Sequence, residues 1–277
     1  MKLSQTLVLA ASAVLVLGVS GCSKDDDSND SGSGTLSLSP KTISTPVEAQ
    51  NAVAVGSSGV VGSSNNSAQL AKSFVRKAMA AKAPQTEKCA VSGEKAVTVD
   101  AASRTYSVEF KDCVENDELS TGIVKYDGNN YTFINYTTKD LVTKDEVVLN
   151  LSYTASTSGG YDVITFDGDA VMKDSKGKTE IGYEKLTMAN NENTRQFKID
   201  NKVSVRSEEL PCVNGGYVYK TTEPLVDGQN GVTSGKLDIN GVKYTFSVDN
   251  NSKGIITVDF GNGRTATIDQ NTEVTCK

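Results

Sequence analysis

Two stretches of this sequence, GIVKYDGNNYTF at residues 122–133 and GKLDINGVKYTF at residues 235–246, align without gaps. In each, a turn-forming dipeptide, Asp127-Gly128 or Asn240-Gly241, separates two short runs of alternating apolar and polar residues. Asp-Gly and Asn-Gly favour two-residue type I′ turns, in which both central residues have positive φ. Each stretch therefore predicts a β-hairpin.

Folding each hairpin about its dipeptide fixes which residues face each other. The first copy then places Val124 opposite Tyr131, and the second places Leu237 opposite Tyr244. A further Asn-Gly at 262–263 predicts another hairpin turn. The repeat indicates either two related β units or one favoured hairpin used twice, and its shortness favours the second interpretation.

The period-2 pattern extends beyond the repeats, from Lys95 to the end of the chain. Leu149, Leu151 and Tyr153 share one face, whereas the apolar phase slips near Glu184-Lys185, which predicts a β-bulge. The pattern yields roughly a dozen strands joined by tight turns. We therefore expect a mainly β fold over residues 85–277: a large antiparallel meander that forms a curled sheet, a half-barrel or a sandwich.

Two short helices are expected in residues 41–84. Thr45-Pro46-Val47-Glu48 combines a capping box with proline at the first helical position. A second helix is predicted over 68–81, ending before Pro84, with one apolar stripe along it. That stripe would serve either as a lid over a ligand cavity or, the simpler interpretation, as a face packed on the sheet.

Four of the five cysteines lie within the predicted β domain, and an even number in an exported chain indicates disulfides with three possible pairings. The first predicted hairpin turns at Ala101-Ala102, which places Cys89 almost opposite Cys113. That register favours a Cys89–Cys113 bridge. Cys212 then pairs with Cys276 by elimination.

The beginning of the chain has the layout of a secretory signal: Lys2, an apolar run over 7–19, and Val-Ser-Gly immediately before Cys22. The small residues before Cys22 resemble the lipobox of bacterial lipoproteins. The resemblance implies that residues 1–21 are removed and that Cys22 becomes an acylated N-terminus. Each buried methylene would contribute about 0.8 kcal/mol, so several acyl chains would anchor the protein to a membrane without a transmembrane helix.

Residues 22–40 are predicted to form a flexible acidic Gly/Ser tether, since the stretch after Cys22 lacks the apolar residues needed to form a core. Ser23 directly after the cysteine is similar to lipoproteins sent to the outer membrane. Lys24-Asp25-Asp26 resembles the acidic signal of lipoproteins exported to the cell surface, although a solvated linker has the same composition. The expected location is the outer membrane, on its periplasmic face or at the cell surface.

Composition excludes several functions. The chain has a net charge of −6 with scattered lysines and arginines, which argues against nucleic acid as a partner. It contains no histidine, which excludes Ser-His-Asp and Cys-His nucleophiles, His-containing zinc sites and covalently bound haem of the Cys-x-x-Cys-His type. No cofactor, metal site or catalytic residue is therefore assigned.

Several partial motifs fail on their context. The stretch 249–256 imitates an EF-hand loop, but Lys253 occupies a position where calcium needs an oxygen ligand. Stretch 261–266 resembles a dinucleotide fingerprint without a following helix, and Ser92 with Lys95 has the spacing of a nucleophile pair without a helix to align it. The acidic groups at 167–169 and 112–118 would either bind calcium weakly or, the simpler interpretation, form solvated turns.

The leading hypothesis is a non-enzymatic lipoprotein whose β domain acts as a binding or structural element of the envelope. Its disulfides, N-terminal helices and hairpins resemble those of β-rich bacterial lipoproteins, a resemblance that implies no activity. The first alternative is a carrier that encloses a hydrophobic ligand under the N-terminal helices, similar in layout to periplasmic lipoprotein carriers. The second is a hydrolase that uses two carboxylates, although no particular pair stands out.

Overall fold

A computed structural model describes residues 35–58, 85–100, 105–128, 130–228, 231–249, 253–270, 274 and 276. The expected antiparallel meander is confirmed: fourteen strands form one sheet in which neighbours in sequence are neighbours in space. All fourteen strands belong to this one sheet, so there is no second sheet in the described part of the chain. The first and last strands do not pair with each other there, so the sheet is open.

The strands are long in the middle of the sheet and short at its edges. They are β1 (Gln85–Lys88), β2 (Ser92–Asp100), β3 (Thr105–Glu115), β4 (Glu118–Tyr126), β5 (Asn130–Asp140), β6 (Glu146–Ser158), β7 (Tyr161–Asp174), β8 (Gly177–Asn191), β9 (Gln196–Ser207), β10 (Gly215–Gly228), β11 (Gly231–Ile239), β12 (Val242–Val248), β13 (Gly254–Asp259) and β14 (Thr265–Asp269).

One face of the sheet is apolar and buried, as the period-2 pattern predicts. Leu149, Leu151 and Tyr153 of β6 lie on this inner face, and every second residue of the neighbouring strands joins them in one continuous core. The outer face carries Ser, Thr, Asn and charged side chains. The sheet therefore has one buried face and one polar face.

The two repeat copies form hairpins with different turns. Asn240 (φ 54°) and Gly241 (φ 85°) make the expected tight turn, and Leu237 faces Tyr244. The first copy was predicted wrongly: Val124 faces Phe133, and Tyr126 faces Tyr131. The shift arises because the Asp127 carboxylate accepts a hydrogen bond from the Asn130 amide (3.1 Å), which closes a four-residue turn centred one position later.

The aligned repeat glycines, Gly122 and Gly235, serve the same purpose. Both have positive φ (91° and 122°), and a Cβ at either position would lie within 2.5 Å of a carbonyl oxygen on the adjacent strand. Each lies where the pairing register shifts. Such bulges recur across the sheet, including the predicted one at Glu184-Lys185, and they bend the strands.

The helix α1 (Pro46–Ser58) begins at the predicted capping box. Glu48 accepts hydrogen bonds from the backbone amides of Ser44 (2.8 Å) and Thr45 (3.0 Å), and Thr45 caps the Glu48 amide in return. The Ser44 amide bond is the main reason why the pKa of Glu48 is lowered. The helix packs its small residues against the C-terminal strands, and its contacts include β9 and β14.

The second predicted helix, 68–81, lies outside the described residues. Within the described residues, no helix has the length and apolar character needed to cross a bilayer.

Candidate functional site

The first described residues form an extended strap, defined here as residues 35–41, that crosses the outer face of β7 to β10. The Leu36 amide donates to Asp169 Oδ1 (2.6 Å) on β7, and the Leu38 amide donates to Ser204 Oγ (3.0 Å) on β9. Between these contacts the strap passes over Gly182 of β8, where a Cβ would lie 2.0 Å from the Leu36 carbonyl oxygen. The strap therefore depends on a strand position with no side chain.

At its second end the strap joins the edge of β10. The Gly216 amide donates to the Ser39 carbonyl, and the Lys41 amide donates to the Gly216 carbonyl, both at 2.9 Å. The side chain of Asn240 donates to the carbonyls of Lys41 and Gly216, also at 2.9 Å, and accepts from the Val218 amide at 2.7 Å. The turn residue of the second hairpin thus fixes the strap in place.

After the strap the chain passes to the inner face, where Ile43 is buried and α1 begins. The N-terminal segment consequently holds the sheet from both sides. Residues 35–40, predicted as part of the flexible tether, belong to the folded domain. The prediction of a flexible tether is therefore wrong for residues 35–40, and for residues 22–34, which lie outside the described residues, it stays a prediction.

Charged side chains flank the strap on β8 and β9. Lys202 Nζ lies 2.7 Å from Glu184 Oε1 and donates to Ser37 Oγ at 2.9 Å. The Lys202 hydrogen bond is the main cause of the lowered pKa of Glu184. Burial raises the pKa of Asp169, and the Leu36 amide partly opposes that effect. Asp169 therefore anchors the strap as a hydrogen-bond acceptor in a partly desolvated position.

The structure contains the two disulfides expected from the sequence, Cys89–Cys113 and Cys212–Cys276. The first forms although the predicted register was wrong: Val97 faces Val108, two residues beyond the expected partner. Cys89 reaches Cys113 from the β1–β2 turn, where its amide donates to the Gly93 carbonyl (3.1 Å). The second bridge ties the end of the chain to the single-turn 3₁₀ helix Pro211–Val213, which α1 contacts.

The predicted lipidation site, Cys22, and the leader before it lie outside the described residues. The acylated cysteine therefore stays a prediction from the sequence. What the structure adds is the position on the outer face of β7 where the chain that follows Cys22 joins the domain.

Side chains of the partial sequence motifs form contacts that stabilise the fold. Lys95, the basic half of the Ser92–Lys95 pair, points to the inner face and forms an ion pair with Glu115 (2.7 Å). Glu115 lies close to the sulfurs of Cys89 and Cys113, but the sulfurs are bonded to each other and are not metal ligands in this state. Asp167 accepts a hydrogen bond from the Lys185 amide (3.3 Å) at the β8 bulge.

Two further motifs lie in hairpin turns, as expected. The Asp249 carboxylate accepts from the Lys253 amide (2.8 Å) in the β12–β13 hairpin, and Gly261 to Gly263 form the β13–β14 turn. Each of these groups stabilises a turn or a bulge. No cofactor site is assigned to them.

A ladder of four tyrosines, which the sequence analysis missed, crosses the sheet from β3 to β6. In this tyrosine ladder Tyr106 faces Tyr126, Tyr126 faces Tyr131, and Tyr131 faces Tyr153. The successive ring centroids are 6.4, 4.6 and 4.7 Å apart. Tyr106 and Tyr126 are half-buried, whereas Tyr131 and Tyr153 are buried. Tyr126 and Tyr131 directly flank residues 127–130, so treating these four residues as the turn would have paired the two tyrosines and revealed the ladder.

A second group of tyrosines lies under α1. Tyr217 donates to the Val213 carbonyl (2.7 Å) and Tyr219 to the Ala52 carbonyl (2.8 Å), and burial raises the pKa of both. Tyr244 is fully buried beside them, and its hydroxyl has no hydrogen-bond partner in the part of the chain that the structure describes. These side chains occupy the space between α1 and the sheet, so an apolar ligand of the carrier hypothesis would have to displace them there.

An open depression of about 260 Å³ lies on the sheet where the register of β5 and β6 shifts. Polar groups on its lining include Asn150, Ser152 and Asp167. Asn150 also accepts a hydrogen bond from the Asn135 amide (2.6 Å), so part of the lining is committed to the bulge. The depression is open to solvent and does not enclose a ligand.

Comparison of the chain with protein-family models, with curated proteins and with solved structures finds no match.

Proposed function

We propose that this chain is an exported lipoprotein, anchored through Cys22, whose β domain acts as a binding or structural element of the outer membrane or cell surface. The observation that carries the proposal is the strap. The segment that follows the expected anchor is hydrogen-bonded to Asp169, Ser204 and Gly216, so the attachment point belongs to the folded domain.

The tether between the anchor and the strap is short. Residues 23–34 comprise twelve residues, and a flexible Gly/Ser-rich chain of that length spans about 20 Å on average. The domain would therefore remain close to the membrane that holds Cys22. A load on the anchor would reach the sheet first at Leu36 and Asp169.

The disulfides support export. Both bridges join cysteines far apart in sequence, with separations of 24 and 64 residues. Such bonds form and persist in oxidising compartments such as the periplasm and the cell surface. The first bridge stabilises the β1–β2 turn, and the second stabilises the Pro211–Val213 segment that α1 contacts.

Binding is more strongly supported than catalysis. The carboxylates of Asp167, Asp169 and Glu184 accept hydrogen bonds that maintain the fold. The outer face beside the strap presents polar side chains and the depression at β5 and β6, where a partner of the envelope would make polar contacts.

The experiment is fractionation of cells that produce the full chain or its Cys22→Ser variant, with Ser23→Ala as the matched control. We expect the wild type and the control in the outer-membrane fraction with incorporated radioactive palmitate, and the Cys22→Ser variant without label. Protease treatment of intact cells then distinguishes the cell surface from the periplasmic face. Unlabelled wild-type protein, or incorporation of palmitate by the Cys22→Ser variant, would contradict the proposal.

The partner is sought by a pull-down from intact cells with the anchored protein, scored for both proteins and lipids. The variant Asp167→Asn replaces a carboxylate of the depression with an amide and tests whether this surface binds the partner. Recovery of the same partner by the wild type and by a domain with a disrupted depression would place the binding surface elsewhere.

A further inference from the structure

The tyrosine ladder brings two phenol rings into contact close to the protein surface. The rings of Tyr126 and Tyr131 have centroids 4.6 Å apart and are tilted by 41°. They face each other across the β4–β5 hairpin, so the pairing of the strands fixes their approach. Tyr126 is half-buried, and its hydroxyl donates to the Gly128 carbonyl in the turn.

Composition makes tyrosine the principal target of a one-electron oxidant in this domain. The chain contains no tryptophan and no histidine. The four cysteines of the domain are bonded as disulfides. A one-electron oxidant that meets the folded domain would therefore take electrons from tyrosine, and first from a ring that solvent reaches.

We propose that Tyr126 and Tyr131 form a site of oxidative coupling, at which a peroxide-driven one-electron oxidant such as a haem peroxidase joins the two rings as dityrosine. Each phenol gives one electron to the oxidant and one proton to water, which leaves two tyrosyl radicals. The radicals combine through ring carbons ortho to the hydroxyls. Each of those carbons then loses its hydrogen as a proton, and the two oxygens are reprotonated.

The balance of the reaction is simple. The two tyrosines lose two hydrogen atoms in total, and one hydrogen peroxide is reduced to two molecules of water. The new carbon–carbon bond crosses from β4 to β5 and closes the four-residue turn covalently. The coupling thus depends on neither an acyl anchor nor a binding partner.

The geometry selects this pair over the other tyrosine pairs of the described chain. Tyr106 and Tyr126 are further apart, at 6.4 Å, and Tyr217 and Tyr219 are 6.5 Å apart and fully buried. Tyr131 and Tyr153 are as close as the chosen pair, at 4.7 Å, but both are buried. Tyr153 is therefore expected to pass an electron to its neighbours rather than to meet the oxidant.

The test is treatment of the purified full chain, solubilised in a mild detergent, with a haem peroxidase and hydrogen peroxide. Peptide mass spectrometry of the monomer should recover the peptide that contains residues 126 and 131 lighter by two hydrogen atoms, with dityrosine fluorescence. Tyr126→Phe should abolish both signals. Tyr161→Phe is the matched control, because Tyr161 lies on the outer face under Lys198 and should leave the signals unchanged.

Mapping of the wild-type product gives a result that does not depend on the folding of any variant. Recovery of monomer with the 126–131 link supports the proposal. Dityrosine confined to covalent dimers, a link that joins other residues, or a signal that persists in Tyr126→Phe would overturn it.

Discussion

The tyrosines beneath α1 give a sharp test of the core, because two neighbouring phenols differ in one hydrogen bond. Tyr219 donates to the Ala52 carbonyl at 2.8 Å, whereas the buried hydroxyl of Tyr244 has no hydrogen-bond partner among the described residues. Removing a satisfied hydrogen bond costs about 1 kcal/mol of unfolding free energy. Removing a buried hydroxyl without a partner relieves a desolvation cost of about 1–3 kcal/mol.

The perturbations are Tyr219→Phe and Tyr244→Phe, each in a chain that carries Cys22→Ser. We expect Tyr219→Phe to destabilise the domain by about 1 kcal/mol and Tyr244→Phe to stabilise it by about 1–2 kcal/mol, because phenylalanine keeps the packing of the ring. Tyr217→Phe, which loses a bond of 2.7 Å to the Val213 carbonyl, serves as a second satisfied reference.

The assay is urea unfolding followed by far-UV circular dichroism, with the slope against urea compared among the variants. Equal slopes show that the exposed surface on unfolding is unchanged, so the midpoints report stability alone. If Tyr244→Phe destabilised the domain as much as Tyr219→Phe, the Tyr244 hydroxyl would have a partner in solution and the account of this part of the core would be wrong.

Three further substitutions test the strap, the ends of the chain and a partly buried carboxylate. Asn240→Gly keeps the positive φ of the turn but removes three hydrogen bonds around the strap, so the unfolding free energy should fall by about 1–3 kcal/mol. The control Asn262→Gly, in the β13–β14 turn, should have little effect. Urea unfolding measures the stability of both variants. Replacing Cys212 and Cys276 with serine opens a loop of 64 residues and should lower the unfolding free energy by about 4 kcal/mol. Removing the other bridge, with its separation of 24 residues, should lower it by about 3 kcal/mol. An equal or reversed order in thermal unfolding would contradict the dependence on loop length. Burial raises the pKa of Glu118 in the folded state. The contribution of the protonated carboxyl to stability is complete below the ordinary pKa of 4.5 and is lost as pH rises through the raised folded pKa. Glu118→Gln should therefore stabilise the domain at neutral pH and have little effect in acid, as measured by unfolding across the pH range.

The parts of the fold that sequence predicts are those fixed by neighbouring residues. The capping box at Thr45 and Glu48 and the turn at Asn240-Gly241 each depend on contacts within a few positions, and both form as expected. The bulge at Glu184-Lys185 is visible because one extra residue reverses the apolar phase of a strand. The alternation of the strands identifies the buried face for the same local reason.

The first hairpin shows where a dipeptide rule fails. The Asp127 carboxylate bonds to the Asn130 amide, and this side-chain contact lengthens the turn and moves the register by two residues. That shift conceals the contact between Tyr126 and Tyr131, so the tyrosine ladder could not be predicted from the assumed turn. The Cys89–Cys113 pairing survives a similar error because the β1–β2 turn brings Cys89 back to β3.

The strap could not be predicted by any local rule. Leu36 and Leu38 alternate with serines at 37 and 39, a weak strand signal, but the docking site is formed by Gly182 and by groups more than 130 positions away. Only the folded sheet brings these groups into one line. The linker was therefore predicted to continue to residue 40, because its Ser-rich composition does not change where the strap begins.

The most direct test of the proposed anchor is the mass of the N-terminal peptide of the protein purified from membranes. We predict that the mature protein starts at Cys22, that this residue carries acyl chains, and that the next residue is Ser23. A mature chain that starts at another position, or a Cys22 without acyl chains in membrane-bound protein, would contradict the central claim.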